Sequence, residues 1–219
     1  MTIAVLGGTG PEGLGLAIRI ALAGEPVIIG SRAAERAALA AERVRAAVPA
    51  AQVEGLTNEL AAQQADAAVL GLPYDALRQA LPPLGEALAS KVVLSPVNAL
   101  AMVNGQPRAL DVPEGSAAQL VQALLPRSLV ACAFNHIDNA LLRRPDRVLR
   151  GDVLVCTDYG QAWELAAGLV RRIPELRPVQ VGPLALSRYV EDFTAVLLSL
   201  NRLHRARTGL RIVGLGATS

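Results

Sequence analysis

Three features of the sequence predict an α/β fold: a doubly wound, mostly parallel sheet closed by a small C-terminal helical element. Short apolar runs alternate with longer segments of helical spacing, as successive βαβ units require. The runs are apolar at consecutive positions, as in strands buried on both faces. A glycine-rich turn over Gly8–Gly13 joins the first run to the first helix.

The elements follow in order. Thr2–Leu6 is apolar and ends in Gly7, so it reads as the first strand, and Leu14–Ala23 carries helical spacing. Glu25–Gly30 is a second, β-branched strand, followed by a long helix over Ala33–Ala47, rich in good helix formers. Val53–Leu56 makes a weaker third strand. Ala67–Leu72 and Lys91–Ser95 are the fourth and fifth, with a helix predicted over Asp75–Ala89 between them. Asn98–Gly115 reads as a turn-rich connection. Ser116–Leu125 is a helix, Leu129–Ala133 the sixth strand, Val153–Cys156 the seventh, Gln161–Arg172 a helix and Pro178–Val181 the eighth strand. After Gly182-Pro183 the pattern becomes one helix over Ser187–Arg207 with a short tail. The predicted division is therefore residues 1–182, carrying the sheet, and residues 183–219, the helical element.

Composition narrows the function. A chain of 219 residues with 52% apolar and 18% charged residues can bury a substantial core. No apolar run reaches the roughly 18 residues of a membrane span, and the start lacks the pattern of a signal peptide, so a cytoplasmic protein is expected. Cys132 and Cys156 lie in strand-like runs and read as buried small hydrophobes rather than a disulfide framework. Two histidines, His136 and His204, are too few for a zinc site of their own. The balance of 21 basic and 19 acidic residues is too even to predict nucleic-acid binding, and 3% aromatics leave little for base stacking. Lys91 is the only lysine; the other 20 cations are arginines, whose planar fork suits phosphate.

The chemistry lies first in Gly8-Thr9-Gly10-Pro11-Glu12-Gly13, which fits G-x-G-x-x-G directly after a strand and opens a helix. Gly8 is expected to permit the tight turn, Gly10 the approach of a pyrophosphate, and Gly13 close helix–strand packing. The helix N-terminus then offers free N–H groups and its positive dipole end to the phosphates. This makes the fold Rossmann-type and the ligand a dinucleotide. At the end of the second strand, where a carboxylate would mark NAD, stand Ser31 and Arg32, with Arg36 a turn later. A hydroxyl and two guanidinium groups favour the 2′-phosphate of NADP.

The acid–base inventory is thin: no Ser/His/Asp or Cys/His set can be nominated, and Glu191 and Asp192 face different directions on a helix. Reduction of a ketone or imine needs a positioned proton donor. Hydride exchange between two redox cofactors needs proximity and orientation instead. Loops after the fourth, fifth and sixth strands should line the crevice at the carboxyl edge of the sheet. They carry Leu72, Pro73 and Tyr74, then Asn98, then Asn135, His136 and Ile137. Tyr74 is expected either to flank the adenine or ribose or to serve structurally at the start of a helix, while Asn98 and Asn135 can bond a carboxamide or ring carbonyl. The final helix and tail hold Arg188, Arg202, Arg205, Arg207 and Arg211, a candidate dock for an anionic second substrate, beside an apolar stripe that suits a second subunit.

Together these residues resemble the NADPH-dependent coenzyme F420 reductases, or F420H2:NADP oxidoreductases, over almost the whole chain. The resemblance runs through Leu6–Gly10, Ile29–Arg32, Lys91–Pro96 and Gly151–Cys156. Its most specific part extends from Leu176–Val179 through Gly182–Leu184 and Ser187–Glu191 to Thr194, then Leu200–Arg202 and the Gly209–Ile212 tail. It implies reversible hydride transfer between NADP(H) and the deazaflavin coenzyme F420, with no catalytic side chain, in a homodimer or tetramer. Thr9 to Glu12 would then line the pyrophosphate, and Ser31, Arg32 and Arg36 would hold the 2′-phosphate. Asn98 would lie by the nicotinamide, and Asn135, Ile137 and Thr194 by the deazaflavin. Two other readings stay open on the residues alone: an NADPH-dependent reductase of an imine, ketone or flavin, and a catalytically silent NADPH sensor.

Overall fold

β1 (Ile3–Leu6) is buried along its whole length, in the interior of an eight-stranded sheet. The computed structural model describes residues 1–215; residues 216–219, the end of the predicted C-terminal element, lie outside the described residues. The chain leaves β1 through α1 (Pro11–Leu22) to β2 (Val27–Ser31), then through α2 (Ala34–Ala47) to β3 (Val53–Thr57). It returns through α3 (Asn58–Gln64) to β4 (Ala67–Leu70) on the other side of β1, and through α4 (Leu77–Ala80) to β5 (Val92–Ser95). A small hairpin, β6 (Leu100–Val103) and β7 (Gln106–Ala109), precedes α5 (Ala117–Leu124) and β8 (Leu129–Cys132). There follow α6 (Asn139–Leu142), β9 (Gly151–Thr157), α7 (Gly160–Arg171), β10 (Leu176–Gly182) and the long α8 (Ser187–His204). Strand order is β10-β9-β8-β5-β4-β1-β2-β3. Every neighbouring pair is parallel except β8 and β9.

The strands feed two cores, one on each face, because successive side chains alternate. Ile3 and Val5 pack with α1, α2 and α7, whereas Ala4 and Leu6 pack with residues of α3, α4, α5 and α8. This double burial is why the strands read as continuous apolar runs. The predicted α/β, mostly parallel sheet is the observed one.

Four local expectations change. The helix expected over Asp75–Ala89 is only the short α4 between two 3₁₀ turns, Tyr74–Ala76 and Pro82–Leu84. Pro82 and Pro83 lack the N–H a continuous helix would use there. The turn-rich connection over Asn98–Gly115 contains the β6–β7 hairpin, closed by Asn104 and Gly105, both at positive φ (+50° and +71°), the Asn-Gly turn of tight hairpins. α3 was not expected; Thr57 caps it by accepting from the Leu60 N–H at 3.3 Å. The last helix stops at His204 rather than Arg207, ended by Arg205 in the left-handed region.

α8 is tied to α5 by the buried carboxyl group of Glu191. Glu191 accepts from the Ala117 and Ala118 N–H groups at 2.8 and 3.0 Å, at the first turn of α5. Beside it the Ser187 hydroxyl donates to the Leu184 carbonyl and sits 2.6 Å from the Ser116 hydroxyl, which itself accepts from the Gln119 N–H. Burial pushes Glu191 up to about 7, against the opposing pull of the Ala118 and Ala117 amides. The folded chain thus holds a proton that the unfolded chain, with an ordinary carboxyl, releases near pH 4.5.

Two predictions follow from this packing. Glu191 stabilises the fold most below about pH 4.5, and that contribution falls as pH rises through about 7. The stability of wild type relative to Glu191→Gln, from urea melts, should therefore fall steadily across that window and level off above it. The glycines make a second contrast. A Cβ on Gly55 would fall on the Ala37–Ala38 backbone, so Gly55→Ala should cost about 1–3 kcal/mol. Gly168, inside α7, has nothing within 4 Å, and Gly168→Ala should stabilise by about 0.4–1 kcal/mol in the same melts.

Candidate cofactor cleft

The glycine loop lies where the sheet changes direction. β2 and β4 flank β1 on opposite sides, and the connections after β1 and β4 part there, opening a crevice at the carboxyl edge. The positive φ needed for the turn falls on Gly7 (+73°), not on Gly8 as expected. Gly8 serves packing: a Cβ there would come 2.8 Å from the Val5 carbonyl oxygen and 3.0 Å from the Ile29 side chain. Gly13 does as predicted. Its Cβ would meet the Gly8 Cα at 2.8 Å and the Gly71 Cα at 3.3 Å, so α1 closes directly onto the loops after β1 and β4. Gly10 has nothing nearer than 4.0 Å, and no side chain caps the helix it opens. The first-turn amides of α1 are therefore uncapped and approachable.

The loop is held from below by a residue that sequence reasoning missed. Asn58, buried at the start of α3, accepts the Gly7 N–H at 3.0 Å through Oδ1. Space for that carboxamide exists because Gly30 lacks a side chain; a Cβ there would approach Asn58 Oδ1 to 2.7 Å. Gly30 beside Asn58 is a coupled pair visible only in three dimensions. Leu72 leans on the same turn, 2.7 Å from where a Gly7 Cβ would sit.

Ser31 ends β2 and is buried, its Oγ accepting from the Ala33 N–H at 3.4 Å; the N-cap of α2 is Ala33 itself. Arg32 and Arg36 are exposed on the same edge and form no ion pair among the described residues. Pro73 is exposed, and Tyr74 is half-buried at the start of the 3₁₀ turn, packed against the core. Its phenol is pushed up chiefly by burial.

A cavity of about 360 Å³ lies between this edge and α8. It gathers five of the predicted residues, Glu12, Asn98, Asn135, Ile137 and Thr194, from four separate segments. Thr9, Gly10, Pro11, Ser31, Arg32, Arg36, Leu72, Pro73 and Tyr74 are outside its lining, along the edge that runs on from it. The cavity wall also includes residues the sequence did not single out for this role: Leu100, Asp138, Leu197, Asn201 and Thr208. Helical spacing of Thr194, Leu197 and Asn201 was the available signal.

Inside, the polar groups are mostly committed to one another. Asn98 Nδ2 donates to the Asn135 carbonyl at 2.7 Å, and the Thr194 hydroxyl approaches that carbonyl and Asn98 Oδ1 at 3.2 and 3.3 Å. The Asn135 side chain donates to the Val97 carbonyl and accepts from the Cys132 thiol, so it props the wall. Cys132 and Cys156, both buried, face each other across β8 and β9. Asp138 caps α6 and is neutralised by Arg207 at 2.7 Å. Burial pushes Glu12 up to about 7, and burial lowers His136, so both readily stand neutral.

Comparison with known proteins agrees with this geometry. Residues 2–99 match the family model described as NADP oxidoreductase, coenzyme F420-dependent. The chain is 40% identical to the F420-dependent NADP reductase of Methanothermobacter thermautotrophicus, over 98% of this chain and 96% of that one. With the enzyme of the same name from Methanocaldococcus jannaschii the identity is 36%, over 98% and 99%. The structure of a candidate F420-dependent NADP-reductase from Arthrobacter sp. FB24 superposes with a TM-score of 0.81 at 24% identity, covering 97% of this chain and 99% of the other. With its glycine loop, its crevice and relatives matched from end to end, the chain belongs to the coenzyme F420-dependent NADP oxidoreductase family.

Proposed function

We propose that the protein transfers hydride reversibly between NADP(H) and coenzyme F420, with no catalytic side chain. The observation that carries this is the single cavity that joins the α1 N-terminus to a wall made by α8 and the tail. The residues fit both groups. Gly10 leaves a cradle that a Cβ would begin to fill, beside uncapped amides suited to a pyrophosphate. Two buried polar atoms along the cavity, His136 Nδ1 and Thr208 Oγ1, make no hydrogen bond among the described residues. When bound, the nicotinamide and the deazaflavin supply the redox chemistry themselves.

The chain's own part is to bind, orient and exclude water. Thr9 to Glu12 line the pyrophosphate; Ser31, Arg32 and Arg36 hold the 2′-phosphate, and Leu72, Pro73 and Tyr74 border the adenosine side. Asn98 faces the nicotinamide, with Asn135, Ile137 and Thr194 beside the deazaflavin. Asn135 does so through the backbone it fixes, since its carboxamide is spent on Val97 and Cys132. A reductase of imines or ketones would need an acid in the cleft, and Glu12, raised to about 7 in the same cavity, is given to the pyrophosphate in this reading. His136 is poorly suited, because it is buried, tied through Nε2 to the Asp152 carbonyl and lowered in pKa.

Residues 183–219 complete the cleft in this reading and carry a homodimer contact. α8 leaves Tyr189 70% exposed, with Val196, Leu200 and Leu203 also open to solvent. Among the described residues no helix is long and apolar enough to cross a membrane, and the proposed location is the cytoplasm.

Three measurements test the reading. Anaerobic mixing of protein, NADPH and oxidised F420 should bleach the deazaflavin band in proportion to enzyme; tight NADPH binding without bleaching would remove the F420 role. Arg32→Ala should weaken NADPH binding about tenfold, the ~1.4 kcal/mol of one charge-assisted hydrogen bond, and leave NADH within about twofold. Equal losses would take the 2′-phosphate from Arg32. Phosphates arriving beside Glu12 raise its pKa beyond about 7, so NADPH binding should take up a proton near pH 8. Calorimetry in buffers of different ionisation enthalpy reads that uptake, and Glu12→Gln should abolish it.

A further inference from the structure

Two polar atoms on residues lining the cleft are built into place and have no hydrogen-bond partner among the described residues. His136 is 4% exposed, and its Nε2 lies 2.8 Å from the backbone carbonyl of Asp152. A carbonyl only accepts, so Nε2 carries the proton and Nδ1 presents a lone pair. Burial, the largest influence on this ring, favours the same neutral state. Nδ1 is buried and unpartnered among the described residues, and His136 lines the cavity. The second atom is the Thr208 hydroxyl, also buried, unpartnered and in the cavity wall.

Neither atom is there by slack in the chain. The Thr208 N–H donates to Asn201 Oδ1 at 2.5 Å, fixing the residue against α8. Two residues on, the Leu210 carbonyl accepts from the Asp152 N–H at 2.7 Å, and the Ile212 N–H donates to the Asp152 carboxylate at 2.6 Å. Asp152 therefore holds both the imidazole and the tail. A buried polar atom left unsatisfied is costly, so two such atoms on residues lining one cavity mark where a ligand's own polar edge belongs.

We propose that His136 Nδ1 and Thr208 Oγ1 form a reading pair, one acceptor and one donor, for the imide edge of the deazaflavin ring. The inference rests on the F420 reading above and names how that site would recognise its second ligand. An N–H beside a carbonyl is also found on the nicotinamide carboxamide. The dinucleotide, however, enters from the Gly10–Glu12 side, which leaves the wall of α8 and the tail for the second ring. Thr208 lies on that wall.

The test measures dissociation constants of oxidised F420, through its own fluorescence, and of NADPH, for wild type, Thr208→Val, Thr208→Ser and His136→Phe. Thr208→Val should weaken F420 about tenfold, Thr208→Ser should restore it, and NADPH should stay within about twofold. A deazaflavin methylated at its imide nitrogen should bind wild type about tenfold more weakly, and His136→Phe should then add no further loss; this arm needs no variant to fold for its first reading. Loss of NADPH affinity in Thr208→Val would give the pair to the carboxamide and overturn the proposal. Equal F420 affinity in wild type and Thr208→Val would overturn it alone, whereas wild-type protein that binds no F420 would overturn it together with the proposed function.

Discussion

The cleft depends on burying the carboxylate of Asp152. This side chain is 0% exposed, a position no carboxylate tolerates without partners. Burial pulls its pKa up, yet the two Arg177 hydrogen bonds at 2.8 and 2.7 Å and the Ile212 amide hold it below the ordinary range. Because its charge must be satisfied, the tail is drawn back across the sheet edge. Arg177 adds a further bond to the Ile212 carbonyl. Gly151 is needed beside it: at φ +141°, a Cβ there would come 2.6 Å from the Leu210 carbonyl oxygen. One ion pair thus builds the far wall, and the same residue's backbone carbonyl sets the His136 ring.

The reversal of β9 makes this possible. The register pairs Ala131 with Thr157 and Cys132 with Cys156, so beyond the end of β8 the chain runs toward the start of β9. Beyond that ladder the His136 side chain reaches the Asp152 carbonyl, near the start of β9. Had β9 run parallel, its carboxyl end would have reached the crevice and Asp152 would lie at the opposite edge. β10 runs parallel to β9 and brings Arg177 opposite Asp152 in register. The near wall follows a different logic, built from small residues. Gly7, Gly8, Gly13 and Gly71 let α1 and two loops meet backbone to backbone, while Gly30 yields space to Asn58.

Much of this was legible, and the limits have physical causes. Glycine at Gly8, Gly10 and Gly13 after an apolar run announces the loop because few other residues permit such approach. It does not say which neighbour turns, and the positive φ went to Gly7. Runs buried on both faces look alike in parallel and antiparallel pairs, so the β9 reversal left no mark in the pattern. The false helix over Asp75–Ala89 came from weighing spacing above Pro82-Pro83, a signal present in the sequence. Asn58 and Asp152 were unreadable for another reason: each acts through partners far away in sequence, and one chain without its fold gives no hint of them.

The lining of the cleft also bears on how such a site works. Its ionisable groups are arranged toward neutrality: Asp138 is paired with Arg207, His136 is driven neutral by burial, and Glu12 is raised toward 7. A general acid or base should hold a free proton within reach of the reacting atom. Here the polar atoms of Asn98, Asn135 and Thr194 are hydrogen-bonded to one another, which fixes their positions. Glu12 apart, the slot is neutral and rigid. It suits a reaction whose carbon centres already carry the electrons and the hydride, and whose barrier falls when two flat rings are held in register.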